Sequence, residues 1–172
     1  MSSQIVKNWE LILNVTLSRR GDYVLRAAIC LSRAYVDGTP KKIREISEFA
    51  VIPVSFTPQV LADLVRAGIA ISRAGRSGGY WLSRPPTEIS LLEVIEAGEG
   101  DIHSDRCAMG DGPCYWEKVC PLHDSWKGAL SSFRDGLAAS TLAEVTERDI
   151  AIESGEYLAP IDSHRGGRVV KL

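Results

Sequence analysis

The sequence predicts a mainly α-helical protein with one small β-hairpin and a long helix near its C-terminus. Three segments with helical spacing of apolar residues precede residue 68, and the spacing then becomes strand-like on both sides of a glycine-rich turn. A helical pattern resumes after residue 121. With 172 residues, 45% of them apolar and 24% charged, the composition is typical of one globular domain or of a small domain with an extension. Such a chain can bury a core without disulfides.

The first three helices are predicted from apolar spacing and from residues that start or stop helices. They cover residues 20–35, 43–50 and 58–67. The third has Thr57 as its expected N-cap and Pro58 as its first residue, and Gly68 closes it.

Two short strands are expected next, at residues 69–72 and 80–83, joined by a turn that holds three glycines and two arginines. Three helices followed by a hairpin is the element order of a winged helix-turn-helix. In that fold the third helix enters the major groove of DNA, and the hairpin reaches the adjacent backbone or minor groove.

The charge distribution supports a DNA-binding module in the same part of the chain. Residues 17–86 carry 11 Lys and Arg against 5 Asp and Glu, whereas residues 87–172 carry 8 against 16. A basic N-terminal half is typical of polyanion binding. We therefore expect double-stranded DNA to be read by Ser55, Thr57 and Gln59 at the start of the third helix. Phosphate or minor-groove contacts are expected from basic residues of the wing and of the segment before the second helix: Lys41, Lys42, Arg73, Arg76 and Arg84.

The C-terminal half is expected to hold a Ser90-capped helix at residues 91–97, a loop at residues 101–119 and a long helix at residues 121–139. Thr141 begins a short turn or helix. The resulting division is an extension at residues 1–16, a DNA-binding domain at 17–86, a cluster-binding and dimerisation region at 87–145, and a flexible tail at 146–172. Since a valine can be encoded by an alternative start codon, Val15 raises the alternative that the extension is an annotation artefact.

Several function classes are disfavoured by what the chain does not contain. No apolar run approaches the ~20 residues of a membrane span, and the N-terminus is a poor secretory signal, so we expect a cytoplasmic protein. A nucleotide-binding glycine motif and a Ser/His/Asp arrangement are also missing, which argues against an enzyme.

Three of the four cysteines form a group with a chemical interpretation. Cys30 lies within the first helix and is expected in the core, whereas the others follow the pattern Cys107-x6-Cys114-x5-Cys120 in a polar loop. Clustered cysteines in a cytoplasmic protein favour metal ligation over disulfides, and this spacing suits an iron–sulfur cluster better than a zinc finger. The fourth ligand is open between His123 and Asp22 of an associated chain. Either residue is otherwise an ordinary helix residue, with Asp22 favoured by the helix dipole.

Taken together, residues 17–144 resemble the Rrf2-type winged-helix transcriptional regulators, which include IscR, NsrR and RirA. The similarity rests on the three-cysteine segment and on residues 17–23 (LSRRGDY), 52–56 (IPVSF), 67–69 (AGI), 78–85 (GGYWLSRP), 93–97 (EVIEA) and 141–144 (TLAE).

The resemblance implies a homodimer held by the long C-terminal helix, with a [2Fe–2S] or [4Fe–4S] cluster on Cys107, Cys114 and Cys120. Asp22 matches a first-helix aspartate that completes the partner's cluster in nitric-oxide-sensing members, and His123 matches the fourth ligand of IscR members. The chain departs from several members in having six residues in the first cysteine gap, and in Thr57, Pro58 and the wing residue Ala74.

The leading hypothesis is a DNA-binding regulator, most simply a repressor, whose cluster senses nitric oxide, iron or redox state. The alternative is a cluster-free regulator of the same fold that senses oxidation at the same thiols. An iron–sulfur electron carrier is a third class, which salt-dependent binding to a promoter would separate from a regulator.

Overall fold

The computed structural model describes residues 16–102, 107–109 and 114–158. The elements, in chain order, are α1 (Arg19–Arg33), α2 (Ile43–Ala50), α3 (Thr57–Arg66), β1 (Ala70–Arg73), β2 (Gly79–Leu82), a short 3-10 helix (Pro86–Glu88), α4 (Leu91–Glu99), α5 (His123–Ala138) and α6 (Leu142–Glu153). This architecture confirms the predicted fold class, which is mainly helical with a two-stranded wing. Within the described residues, no helix is long and apolar enough to cross a membrane.

Helix α1 is the central element of the core and contacts α2, α3, α4 and α6. Its start is fixed by Ser18, whose hydroxyl accepts a hydrogen bond from the Gly21 backbone N–H. α1 and α4 approach most closely where Gly98 faces Gly21, because a Cβ atom built on Gly98 would lie 2.7 Å from the Gly21 Cα. Glycine is therefore required for this helix contact.

The turn between α2 and α3 sets the relative orientation of the two helices. Val51 adopts a left-handed conformation with φ of 53°, which is unfavourable for a β-branched residue. The neighbouring backbone is held by hydrogen bonds from the Arg26 guanidinium to the Ala50 carbonyl (2.9 Å) and from the Ser47 hydroxyl to the Ile52 carbonyl (2.7 Å). These bonds compensate for the strain and fix the angle of the turn.

The wing is an antiparallel hairpin in which Ala70 pairs with Leu82 and Arg73 pairs with Gly79. The chain before α2 adds a third short stretch, since Lys41 and Tyr80 exchange two backbone hydrogen bonds of 3.0 Å. The wing is thereby joined directly to the helix-turn-helix.

Two sequence predictions about element bounds need correction. Phe56, not Thr57, occupies the N-cap of α3. The tail does not begin at residue 146, because α6 continues to Glu153. Within α6, Thr146 is buried and its hydroxyl contacts the Ser32 hydroxyl at 2.8 Å. Leu142 and Thr146 are the two buried residues of α6, so a polar side chain takes one of its inward positions and weakens the apolar pattern. The extension at residues 1–15 and the chain beyond residue 158 lie outside the described residues.

Candidate nucleic-acid interface and cysteine site

The start of α3 presents two of its three predicted DNA-reading residues to solvent. Ser55 and Gln59 are exposed, so both can meet a DNA surface. Thr57 is fully buried, and its hydroxyl donates to the Pro53 carbonyl at 3.1 Å. Because the first residue of the helix directs its side chain back onto the preceding turn, Thr57 has a structural role, which corrects the expectation that it reads bases.

The tip of the wing carries Arg73 and Arg76, both exposed. The Arg73 guanidinium lies over the Trp81 ring at 6.0 Å from its centroid, which limits the positions that this cation samples. Between the wing and α2 lies an open groove of about 410 Å³, lined on both sides by basic residues and with an apolar floor: Lys42, Ile43, Arg44, Val54, Arg73 and Tyr80. Sequence analysis missed Arg44, although its place one turn from Lys41 in the basic segment was a usable signal.

The two lysines before α2 have contacts within the protein in addition to their predicted role as phosphate contacts. The Lys42 ammonium donates to the Arg76 carbonyl (3.0 Å) and to the Gly78 carbonyl, so it holds the backbone of the wing tip. Lys41 is half-buried and takes part in the sheet through its backbone. Lys42 therefore acts first on the shape of the wing, and its remaining donor is what it can offer to DNA.

Arg84 lies at the base of the wing, at the opposite end of the hairpin from the tip. Its guanidinium donates to the carbonyls of Gly68 (3.1 Å) and Glu88 (3.3 Å) and pairs with Glu93. Burial would raise the pKa of Glu93, but hydrogen bonds from Ser90 and the Arg84 charge outweigh it and leave this pKa lowered. Arg84 thus fastens the wing to α4, and its role as a DNA contact stays a prediction.

The structure places the Cys107 thiol in hydrogen-bond contact with Cys114, and it places Cys120 close enough to Cys114 for their charges to interact. All three are half-exposed, and none of the four cysteines of the chain forms a disulfide. The Cys114 sulfur accepts a backbone hydrogen bond from Trp116, which lowers its pKa. Desolvation, a hydrogen bond with Cys107 and the charges of Cys107 and Cys120 outweigh that effect, so the pKa of Cys114 is raised. Cys30 is buried in the core, as the sequence predicted.

The two candidate fourth ligands occupy different parts of the fold. His123 is the first residue of α5, and its backbone N–H donates to the Cys120 carbonyl at 3.3 Å. Asp22 lies in the first turn of α1, where its carboxylate pairs with Arg26 on the same helix. No group of three His, Cys, Asp or Glu side chains within the described residues surrounds one ion position. Neither candidate is therefore selected by contacts within one chain.

Helix α5 is poorly covered by the rest of the chain, since none of its 16 residues is buried. The Arg134 guanidinium connects it to α4 through Glu96 at 2.5 Å. Its apolar residues recur at three- and four-residue spacing: Trp126, Leu130, Phe133 and Leu137.

Comparison with known proteins places these features in one family. Residues 17–148 match the Rrf2 family model, described as an iron-dependent transcriptional regulator. The chain is 35% identical over 130 residues to the HTH-type transcriptional regulator Rv1287 of Mycobacterium tuberculosis (strain H37Rv), covering 75% of this chain and 80% of that protein. It is 30% identical over 129 residues to the HTH-type transcriptional regulator IscR of Aliivibrio salmonicida, covering 73% and 76%. The oxidised form of Staphylococcus aureus CymR superimposes with a TM-score of 0.58 at 26% identity, covering 77% of this chain and 96% of that chain.

Proposed function

From the premise that this chain belongs to the Rrf2 family of transcriptional regulators, we propose that it is a cytoplasmic homodimeric repressor whose operator affinity is controlled by an iron–sulfur cluster. In each subunit α3 enters the major groove with Ser55 and Gln59, while Arg73, Arg76 and Arg44 contact the backbone. Two such helices must lie ~34 Å apart to read successive major grooves. The regulator is not an enzyme, in agreement with its relatives.

The observation that supports the cluster is the proximity of the Cys114 thiol to the other two thiols of the segment. Cys107, Cys114 and Cys120 form no disulfide and are half-exposed, Cys114 has a hydrogen bond with Cys107, and the charges of Cys107 and Cys120 contribute to its raised pKa. Three accessible thiols on one segment are a donor set that fits an iron–sulfur cluster. Cys107 also accepts a hydrogen bond from the Met109 N–H at 3.5 Å, the type of contact that tunes a ligating sulfur. When bound, the cluster supplies iron that can be lost, oxidised or modified by nitric oxide.

The homodimer is supported by α5. Within its own chain, α5 leaves Trp126, Leu130 and Leu137 of its apolar stripe half-buried and Phe133 exposed. The uncovered part of this stripe is expected to pack against another molecule. A second α5 supplies a matching stripe by symmetry. Because contacts among the described residues of one chain do not bring Asp22 to the cysteine segment, Asp22 can be the fourth ligand only if the dimer brings the partner's Asp22 there.

The direct test is anaerobic purification followed by visible spectroscopy and assays of iron and acid-labile sulfide. We expect a coloured wild-type protein, a Cys114→Ala variant without the visible bands, and a Cys30→Ala variant that keeps them, because Cys30 is a core residue. Operator binding is then measured for the loaded protein and for the chelator-treated protein. A coloured Cys114→Ala protein would contradict the three-thiolate site.

The same measurements separate the two fourth ligands. If Asp22 of the partner completes the cluster, Asp22→Ala keeps the visible bands but loses the affinity difference between loaded and metal-free protein, and His123→Ala keeps that difference. If His123 completes it, His123→Ala loses the cluster and Asp22→Ala changes neither property.

A second candidate function, thiol oxidation without a cluster, is favoured by the hydrogen bond between Cys107 and Cys114 and by a relative whose oxidised form has been solved. The raised pKa of Cys114 works against it, because the thiolate is the species that oxidants attack. Under this alternative, metal-free protein treated with peroxide would lose two free thiols and change operator affinity, and Cys107→Ser would abolish that change.

A further inference from the structure

The inward face of the DNA-reading helix contains a buried carboxylate. Asp63 of α3 is fully buried at its side chain and neighbours the core residues Val60 and Leu64. A charge at such a position is tolerated only where hydrogen bonds and opposite charges replace water. The residues that bind Asp63 therefore restrain the position of α3.

Asp63 is bound by a guanidinium from another helix. Arg20 of α1 donates from Nε at 2.8 Å and from its terminal nitrogen at 2.7 Å, one bond to each carboxylate oxygen. Arg66 adds a third bond of 2.8 Å from within α3. Burial would raise the pKa of Asp63, yet these bonds and charges outweigh it and leave the pKa lowered, so the carboxylate is ionised at neutral pH.

Arg20 itself extends from a fixed part of the fold. Two residues before it, the Ser18 backbone N–H donates to the Glu99 carboxylate of α4 at 2.7 Å. Three residues after it, the Tyr23 ring packs edge-on against Phe56 at the N-cap of α3, with centroids 5.8 Å apart. The N-terminal end of α1, together with its N-cap, thus contacts both α4 and the start of α3.

The two-bond contact restrains a motion that apolar packing does not restrain well. Apolar contacts are non-directional, whereas two parallel hydrogen bonds fix orientation. Gln59 lies one helical turn before Asp63, so rotation of α3 about its axis moves both residues together. For a side chain ~5–6 Å from the axis, a rotation of ~10° displaces the tip by ~1 Å, enough to break a base contact.

We propose that Arg20 is a positioning residue for operator recognition: through Asp63 it fixes the rotation of α3, so that Gln59 meets base edges beside Ser55 of the preceding turn. The proposal rests on the proposed role of α3 in reading bases. Phosphate contacts of the wing do not depend on this contact, so the effect falls on the preference for one sequence rather than on DNA binding in general.

The experiment compares two duplexes: the one that the full-length wild-type chain selects from a random pool, and a shuffled duplex of the same composition. For Arg20→Met and Asp63→Asn we expect affinity for the selected duplex to fall roughly tenfold and affinity for the shuffled duplex to change less than about twofold. The double variant should resemble either single variant, because both remove one interaction. Arg20→Lys, which keeps the charge but not the fork, should give an intermediate preference.

Two variants serve as controls. Arg19→Met removes the same charge from the exposed neighbour of Arg20, and Arg66→Met removes the bond to Asp63 that lies within α3. Both should keep the wild-type ratio between the two duplexes. If Arg20→Met does not fold, as judged by circular dichroism, Arg20→Lys and Asp63→Asn decide the outcome.

An unchanged ratio in the folded Arg20 and Asp63 variants, or losses that add in the double variant, would overturn the proposal. If Gln59→Ala lowers the ratio while these variants do not, α3 still reads bases and only the positioning role is wrong. A wild-type chain that selects no duplex would refute the proposed function itself, and the positioning role with it.

Discussion

The close approach of α1 and α4 predicts opposite stability changes for two identical substitutions. In Gly98→Ala, the new methyl group would lie 2.7 Å from the Gly21 Cα and 3.3 Å from the Val24 Cβ, closer than non-bonded carbons tolerate. Backbone atoms cannot move aside as a flexible side chain can. We therefore expect the overpacking cost of about 1–3 kcal/mol to exceed the gain of about 1 kcal/mol from the better helix propensity of alanine.

Gly128 provides the matched control. It is a helical glycine of α5, and among the described residues no atom beyond its chain neighbours and its own helix backbone lies within 4 Å of the added methyl position. Gly128→Ala should stabilise the protein by about 0.5–1 kcal/mol. The free energy of unfolding is measured by urea titration at one protein concentration, since association shifts the apparent value. Equal stabilisation by both substitutions would refute the close contact between α1 and α4.

Three further predictions address the ion pairs and the interface. The pKa of Asp63 is lowered by folding, so as pH falls the unfolded chain binds the proton before the folded chain does. The ionised carboxylate therefore stabilises the fold above its unfolded pKa of ~3.9. The difference in unfolding free energy between wild type and Asp63→Asn, measured by urea titration at several pH values, should persist from pH 7 to about pH 5 and shrink below it. Arg76→Ala should weaken binding to every duplex and reduce the salt slope by about one unit, whereas Arg84→Ala should leave the slope unchanged and lower thermal stability instead. Gln59→Ala should weaken the binding free energy by roughly 1–3 kcal/mol on the operator alone, and equal losses on operator and random DNA would contradict base reading. Thr57→Ser, which keeps the buried hydroxyl, should keep the preference for the operator.

The sequence by itself determined the features that depend on neighbouring residues. Apolar spacing and punctuating residues placed α1 and α2 within a few residues of their observed ends, and the change of period at Gly68 placed the wing. The spacing of Cys107, Cys114 and Cys120 along one segment is also a property of the sequence, and their shared ligation of a cluster stays a prediction.

Only the tertiary structure decided which way polar and charged side chains point. The residues that neighbour Arg84 and Arg76 in the sequence do not distinguish them, yet Arg84 fastens the wing to α4 and Arg76 is exposed at the tip. The sequence around Asp63 does not show that this residue is buried, because its partner Arg20 lies 43 positions earlier in the chain. The physical reason is that the free energy of a buried polar group depends on partners brought together by folding, whereas helix and strand periodicity is a property of consecutive residues.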